Sequence, residues 1–270
     1  MFQNFKHQAV LALKRLIYRR SGEPYQIDGT TLRFAPGTRP VLTKYRTSPD
    51  SISRYDALQV LLLTEKLGPG DFAIDVGAHA GQFALIMAAR CGPTGRVIVF
   101  EPDTHARKKL EHNLGLNKGV PRVTVESLAL SDHKGSATLF SRGGDSNSSL
   151  STSGLPGSAP DDLEQLDVTL STLDDYLHEH NLTMPKLVKI DTEGAEIRIL
   201  LGAKALLESS AEVVCELHPY AWEGFGSSLE ELQGLLAECG RTMRYLDQTE
   251  AVQGIPEYGI VLLERQVKVA

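Results

Sequence analysis

Cysteine is scarce: Cys91, Cys215 and Cys239 are the only three in a chain of 270 residues. They are far apart, odd in number and form no C-x-x-C, so neither a disulfide framework nor a zinc ligand set is encoded. A reducing, cytoplasmic setting fits that usage best. Long apolar runs are missing too. No stretch reaches the roughly 18–20 residues that a membrane span needs. Lys14 and Arg15 interrupt the apolar stretch near the start, where a signal peptide would have its core. There is no basic excess either. Lys plus Arg total 28 against 34 Asp plus Glu, a net charge of −6, so no nucleic-acid partner is expected. An apolar fraction of 41 % excludes a disordered chain. No internal repeat is visible. The length suits one large domain, or a domain with appendages, and can bury a core without disulfides.

What is present begins with a basic segment. Residues 1–20 carry Lys6, Lys14, Arg15, Arg19 and Arg20 and no acid. Phe2, Phe5, Ala9, Leu13, Leu16 and Ile17 recur at three- and four-residue steps, which predicts an amphipathic helix. Such a helix packs on its own domain or on a second copy, or docks peripherally on an anionic membrane surface. Tyr25-Gln26-Ile27 and Thr31-Leu32-Arg33-Phe34 flank Asp28-Gly29, a hairpin signal. Residues 1–50 therefore read as a helix and β-hairpin appendage, and residues 51–270 as the main domain. A helix from Ser51 to Leu67 opens that domain and stops at Gly68-Pro69-Gly70.

From residue 71 short apolar strands alternate with helices. The strands are 72–76, 96–100, one beginning at Val123, 187–190 and 212–217, with helices over 81–89 and 105–117. Alternation of this kind implies a parallel sheet covered on both faces. Arg244-Tyr245-Leu246 and Ile260 to Leu263 read as an antiparallel pair at the sheet edge. Residues 141–160 hold seven serines, four glycines and two prolines, which reads as a long flexible loop insert.

The first strand runs into Asp75-Val76-Gly77-Ala78-His79-Ala80-Gly81, a tight turn over which a ligand can approach the backbone. Glu101 follows at the end of the second strand, placed to accept from ribose hydroxyls. The turn reads G-x-H-x-G with Asp75 before it, not G-x-G-x-x-G. A pyrophosphate disfavours a carboxylate there. S-adenosylmethionine carries a sulfonium cation and no phosphate, so it is favoured over a nicotinamide cofactor.

These residues, with Val99-Phe100-Glu101-Pro102, Leu114 to Asn117, Ala129-Leu130-Ser131-Asp132, the string from Leu187 to Glu196, and Glu216-Leu217-His218, resemble the FkbM-type family of S-adenosylmethionine-dependent methyltransferases. The resemblance covers about residues 71–218, and its most specific piece is Lys189-Ile190-Asp191-Thr192-Glu193-Gly194-Ala195-Glu196. The family usually has Asn where this chain has His79. The resemblance implies the class I Rossmann-like fold, a mostly parallel seven-stranded sheet ordered 3-2-1-4-5-7-6 with helices on both faces. It implies that Asp75, Gly77, His79 and Gly81 face the methionine end and that Glu101 and Pro102 flank the ribose. Ser127, Leu128 and Ala129 would line the adenine, and Asp191 would face the sulfonium.

Methyl transfer to a hydroxyl needs positioning and a way to lower the hydroxyl pKa. Asp191, Glu216 and His218 end neighbouring strands and are the expected catalytic group. His218 acts as general base in one reading, and the three hold a divalent ion such as Mg in the other; a purely structural role for Glu216 and His218 is the third. Glu196 is expected to cap the next helix, and Lys189 to support neighbouring acids. Trp222, with Tyr220 and Phe225, reads as core before it reads as a pocket wall. The expected activity is O-methylation of a sugar or a polyketide-type small molecule. The alternatives are nitrogen or RNA methylation, or a silent cofactor-binding partner subunit; a homo-oligomer is compatible with each.

Overall fold

The structure, a computed structural model, describes residues 2–27, 29–36, 38, 53–143, 148–248, 252 and 258–266. Helix α1 (Phe2–Tyr18) leads into a hairpin of β1 (Glu23–Ile27) and β2 (Thr30–Phe34). Gly29 turns the hairpin at φ +75°; Asp28 lies outside the described residues. Helix α2 (Ser53–Lys66) follows, and Ser51 and Ile52 of the expected helix also lie outside them.

The expected alternation then begins: β3 (Phe72–Val76), α3 (Gln82–Cys91), β4 (Arg96–Phe100), α4 (Thr104–Leu116) and β5 (Val123–Glu126). Helix α4 starts where it does because the Asp103 carboxylate accepts from the backbone N–H groups of His105 and Ala106. An excursion through β6 (Ala129–Leu130), β7 (Gly135–Ser141), β8 (Ser148–Ser149) and β9 (Glu164–Ser171) interrupts the alternation. It resumes with α5 (Leu173–Glu179), β10 (Leu187–Ile190), α6 (Glu196–Leu201), α7 (Lys204–Glu208) and β11 (Glu212–Leu217). A 3₁₀ turn (Pro219–Phe225), α8 (Leu229–Glu238), β12 (Arg241–Tyr245) and β13 (Gly259–Arg265) complete the chain.

Seven strands form one sheet in the order β12-β13-β11-β10-β3-β4-β5. The β11-β10-β3-β4-β5 pairs are parallel, whereas β13 runs antiparallel to both β11 and β12. Counted along the main sheet this is 3-2-1-4-5-7-6, the class I methyltransferase order. The chain leaves β3 for β4 on one side and returns to β10 on the other. The switch point therefore lies between the carboxyl ends of β3 and β10, where open parallel sheets bind ligands.

Strand residues alternate between two cores. Ile74, Val76, Ile98, Phe100, Val188 and Ile190 face a core that includes residues of α5 to α8. Ala73, Val97 and Val99 face the other, which also takes Ile27, Leu32 and Phe34 from the hairpin. The hairpin is further tied down by α4. Asn117 accepts from the Arg33 N–H at 2.8 Å and donates to the Arg33 carbonyl at 2.7 Å, mimicking a strand neighbour. Asn113, one turn earlier, accepts from the Ala35 N–H and donates to the Ala80 carbonyl, both at 2.8 Å.

Part of the expected loop insert over 141–160 is built into the fold. Residues 148–160 include β8 and a 3₁₀ turn at Thr152–Gly154, while residues 144–147 lie outside the described residues. Strands β6, β9, β7 and β8 form a second sheet in that order. The small residues serve close approach. A Cβ on Gly154 would stand 2.2 Å from the Glu193 carbonyl oxygen. Ser149 Oγ donates to that same carbonyl at 2.8 Å, and Ser153 Oγ to the Ala221 carbonyl at 2.9 Å. Composition alone could not show this, because serine and glycine serve mobile loops and tight contacts alike.

Candidate active site

A cleft of about 790 Å³, including its open mouth, lies at the switch point. Its wall contains Gly77, His79, Glu101, Pro102, Leu128, Ala129 and Asp191, seven of the ten residues expected to hold a cofactor. The other three stand off it. Asp75 is fully buried within the sheet, Ser127 is exposed, and Gly81 packs against α4. A Cβ on Gly81, whose φ is +80°, would meet Leu110 Cδ1 at 2.3 Å, so this glycine seats the turn rather than the ligand. Gly77, at φ +79°, passes so close to β10 that a Cβ would lie 1.9 Å from the Asp191 carbonyl oxygen. Leu139, Ser149 and Leu150 of the second sheet region close the far side, a contribution with no motif to announce it.

His79 stands at φ +47°, a left-handed conformation that Asn and His tolerate better than most residues. Glu101 is 4 % exposed, and its carboxylate accepts from the backbone N–H groups of His79 at 2.7 Å and Asp103 at 2.9 Å. Burial pushes its pKa up to about 7.

Below the cleft lies an alternating chain of charge. Lys189, 1 % exposed, places Nζ 3.1 Å from Asp191 Oδ2, 3.7 Å from Asp75 Oδ1 and 4.7 Å from the centre of the Phe83 ring. Burial opposes its charge, but the two carboxylates outweigh burial and hold the ammonium above the usual lysine range. Asp191 is likewise held below its ordinary value against burial, chiefly by Lys189. Asp75 is shifted upward by burial. The expected supporting role of Lys189 is what the structure shows.

His218 follows β11 and is 2 % exposed. Its Nδ1 lies 3.0 Å from Glu196 Oε1, and its Nε2 lies 3.5 Å from Glu193 and 3.9 Å from Glu216. Glu196 already accepts from the Gly194 N–H at 2.8 Å and from Trp222 Nε1 at 3.1 Å. With two donors already on the Glu196 carboxylate, Nδ1 is the ring nitrogen turned to Glu196, and Nε2 faces Glu193 and Glu216. Burial disfavours the imidazolium, but the Glu196 hydrogen bond and the surrounding acids push its pKa up to about 9. Burial raises Glu216 to about 8, and Tyr258 donates to its carboxylate.

Two expectations take a different form here. Glu196 stands in the first turn of α6 and accepts from the Gly194 N–H, as expected of a cap, but it is 0 % exposed and also orients His218. The compact trio able to hold a metal among the described residues is Asp191, Glu193 and His218, whose ligand atoms lie within 4.8 Å of one another. Glu216, expected in that trio, is engaged by Tyr258. Glu193 takes φ +54°, a conformation that costs on the order of 1–3 kcal/mol and is typical of functional sites. Trp222 is buried in the core with its N–H on Glu196, as core reasoning expected. Tyr220, half-exposed, donates to Glu193 at 3.1 Å.

Residues 75–243, well over half of the chain, match the methyltransferase FkbM domain. The chain belongs to this family. It is 30 % identical to the 31-O-demethyl-FK506 methyltransferase FkbM of Streptomyces tacrolimicus, over 57 % of this chain and 67 % of that protein. It is 28 % identical to the hexuronic acid methyltransferase AglP of Haloferax volcanii, over 72 % of this chain and 73 % of that one. A match at 32 % identity to the AMB antimetabolite synthetase AmbE of Pseudomonas aeruginosa covers 64 % of this chain and 10 % of that longer protein. The chain thus carries an S-adenosylmethionine-dependent FkbM methyltransferase domain. The site fits that cofactor on its own terms. An oriented carboxylate, Glu101, ends the second main-sheet strand, a side-chain-free turn crosses the switch point at Gly77, and the ionised Asp191 suits a sulfonium. Among the described residues no helix is long and apolar enough to cross a membrane.

Proposed function

We propose that this FkbM-family chain methylates a hydroxyl group on a sugar or small molecule. The observation that carries this reading is Asp191, which lies on the wall of the cofactor cleft and also on the wall of a second cavity beside it. Gly77 and His79 share that boundary. An acceptor in the second cavity would meet the cofactor at Asp191. S-adenosylmethionine supplies a methyl group activated by the sulfonium. In this reading Gly77, His79 and Asp191 face its methionine end, Glu101 and Pro102 its ribose, and Leu128 and Ala129 its base. Asp191, fixed by Lys189, accepts a hydrogen bond from the acceptor hydroxyl and complements the positive charge. His218, oriented by Glu196 and with a ring nitrogen within 4.8 Å of an Asp191 oxygen, is the base that receives the proton passed on through Asp191.

The O-methyl reading is supported by the FkbM relative, whose name states methylation at a 31-O position, and the sugar reading by AglP, named for a hexuronic acid. A metal-assisted variant is favoured by the Asp191, Glu193 and His218 trio, in which Glu196 would act as the carboxylate behind a ligating histidine. Titration of the purified chain with S-adenosylhomocysteine, followed by methyl-transfer assays on hydroxylated acceptors with magnesium or a chelator, tests both. Micromolar binding and chelator-resistant product are expected. No binding by the folded chain overturns the reading, and chelator-sensitive turnover moves the proton step to the metal variant.

We further propose peripheral docking of α1 on an anionic bilayer. Val10, Leu13, Leu16 and Ile17 are 54 to 78 % exposed on the outer side of a helix that carries basic and no acidic residues.

A further inference from the structure

The second cavity, about 1710 Å³ with its mouth, lies between α1, the segment after β2, and α4. Its lining runs against the charge of the whole molecule. The chain carries a net charge of −6, yet Arg15, Lys108, Lys109 and Lys189 line this space and Asp191 is the one acid among the lining residues. Lys189 is committed to Asp191 at 3.1 Å, so Arg15 and Lys108 are the cations of the lining that face the space, with Lys109 adding its charge beside them. Lys108 and His112 stand one turn apart on α4, so that basic row faces one way, into the cavity. The field reaches the cofactor turn: burial and then the charge of Lys109 lower the pKa of His79.

Helix α1 reinforces this by its orientation. A helix packed for hydrophobic burial turns its aliphatic stripe inward. Here Arg15 and Leu11 line the cavity while Leu13, Leu16 and Ile17 face away. The helix therefore contributes a cation to the roof of the cavity at the expense of leaving apolar surface outside. Like charges gathered around one cleft repel one another and focus the field on an incoming anion.

We propose that this cavity is the acceptor site and that it takes an anionic hydroxyl compound, a sugar or small molecule bearing a carboxylate or phosphate. Arg15 and Lys108 bind the anionic group, Lys109 adds to the positive field around it, and the hydroxyl reaches Asp191. This rests on the methyltransferase reading, and the test separates the two. The full chain, saturated with S-adenosylhomocysteine, is titrated calorimetrically with methyl glucuronide, glucose 6-phosphate and methyl glucoside. Binding of at least one charged sugar about tenfold tighter than the neutral one is expected, weakening as salt rises. The carboxylate and phosphate arms separate the two sources of charge. Arg15→Gln and the pair Lys108→Gln with Lys109→Gln should each weaken the charged sugar by roughly fivefold or more, with cofactor affinity within about twofold. Equal binding of charged and neutral sugars, or no sugar binding by protein that holds S-adenosylhomocysteine, overturns the proposal. So does a parallel loss of S-adenosylhomocysteine affinity, which would assign these cations to the carboxylate of the cofactor. Failure to bind S-adenosylhomocysteine at all is a failure of the methyltransferase reading instead.

Discussion

At the scale of single residues, the site is a set of carboxylates given different tasks by their surroundings. Asp191 is kept ionised by Lys189, whereas Glu101 and Glu216 are lifted toward neutrality by burial. Glu101 binds ribose hydroxyls best as a carboxylate, and its pKa in the free protein is about 7. Affinity for S-adenosylhomocysteine should therefore be full above pH 7 and fall as pH drops through it. Glu101→Gln should cost about 1.5–3 kcal/mol, the scale of a hydrogen bond to a charged group, and flatten that dependence. Calorimetry across pH checks both, and an unchanged affinity would remove Glu101 from the ribose. His218 works in the opposite sense. Its pKa of about 9 leaves the base form scarce at neutral pH, so kcat/KM should climb about tenfold per pH unit below that value. Glu196→Gln removes the carboxylate that raises it and should move this limb downward. A merely structural role for Glu196 would lower activity at every pH and leave the limb in place.

At the scale of elements, sequence periodicity placed most pieces but not their orientation. The apolar runs 72–76, 97–100 and 187–190 became buried parallel strands because nothing polar interrupts them beyond Asp75 and Lys189, which pair with each other. The basic helix α1 was legible as amphipathic, yet the side it presents inward depends on what lies beneath it. In the structure the aliphatic residues point out. Substituting Leu13, Leu16 and Ile17 together by Gln in the full chain should reduce binding to phosphatidylserine-containing vesicles by roughly tenfold or more, since about 0.8 kcal/mol is lost per CH₂ no longer buried. Unchanged vesicle binding overturns membrane docking, and a wild-type dimer that this variant dissociates would place a second copy on the stripe instead. The contacts of the 148–160 segment are illegible in sequence for a related reason: Ser149 and Ser153 reach Glu193 and Ala221, residues distant in sequence that no local pattern reveals.

At the scale of the whole molecule, two sheets and the N-terminal hairpin converge on the switch point. The main sheet offers Gly77, Glu101 and Asp191, the second sheet region adds Leu139, Ser149 and Leu150, and Asn113 links the hairpin to the turn at Ala80. A ligand held by both sheets stabilises only the folded form. S-adenosylhomocysteine at about one hundred times its Kd should add about 2.7 kcal/mol, roughly a 5–10 °C rise in Tm for a chain of this size. Thermal denaturation with and without the ligand measures it, and no shift would mean that the cleft does not hold it.

The sequence by itself determined the alternation of strands and helices, the glycine turn, the acid at the second strand end and the string from Lys189 to Glu196. Each of these is local: a run of apolar residues, a residue that must adopt positive φ, a spacing along one segment. The tertiary structure decided which carboxylate serves which partner. Glu196 faces His218 rather than solvent, Tyr258 occupies Glu216, and Tyr220 donates to Glu193, because strand order and loop packing bring together groups that are 20 or more residues apart. It also decided that a net-acidic chain encloses a basic cavity, since charge is counted along a sequence but felt across space.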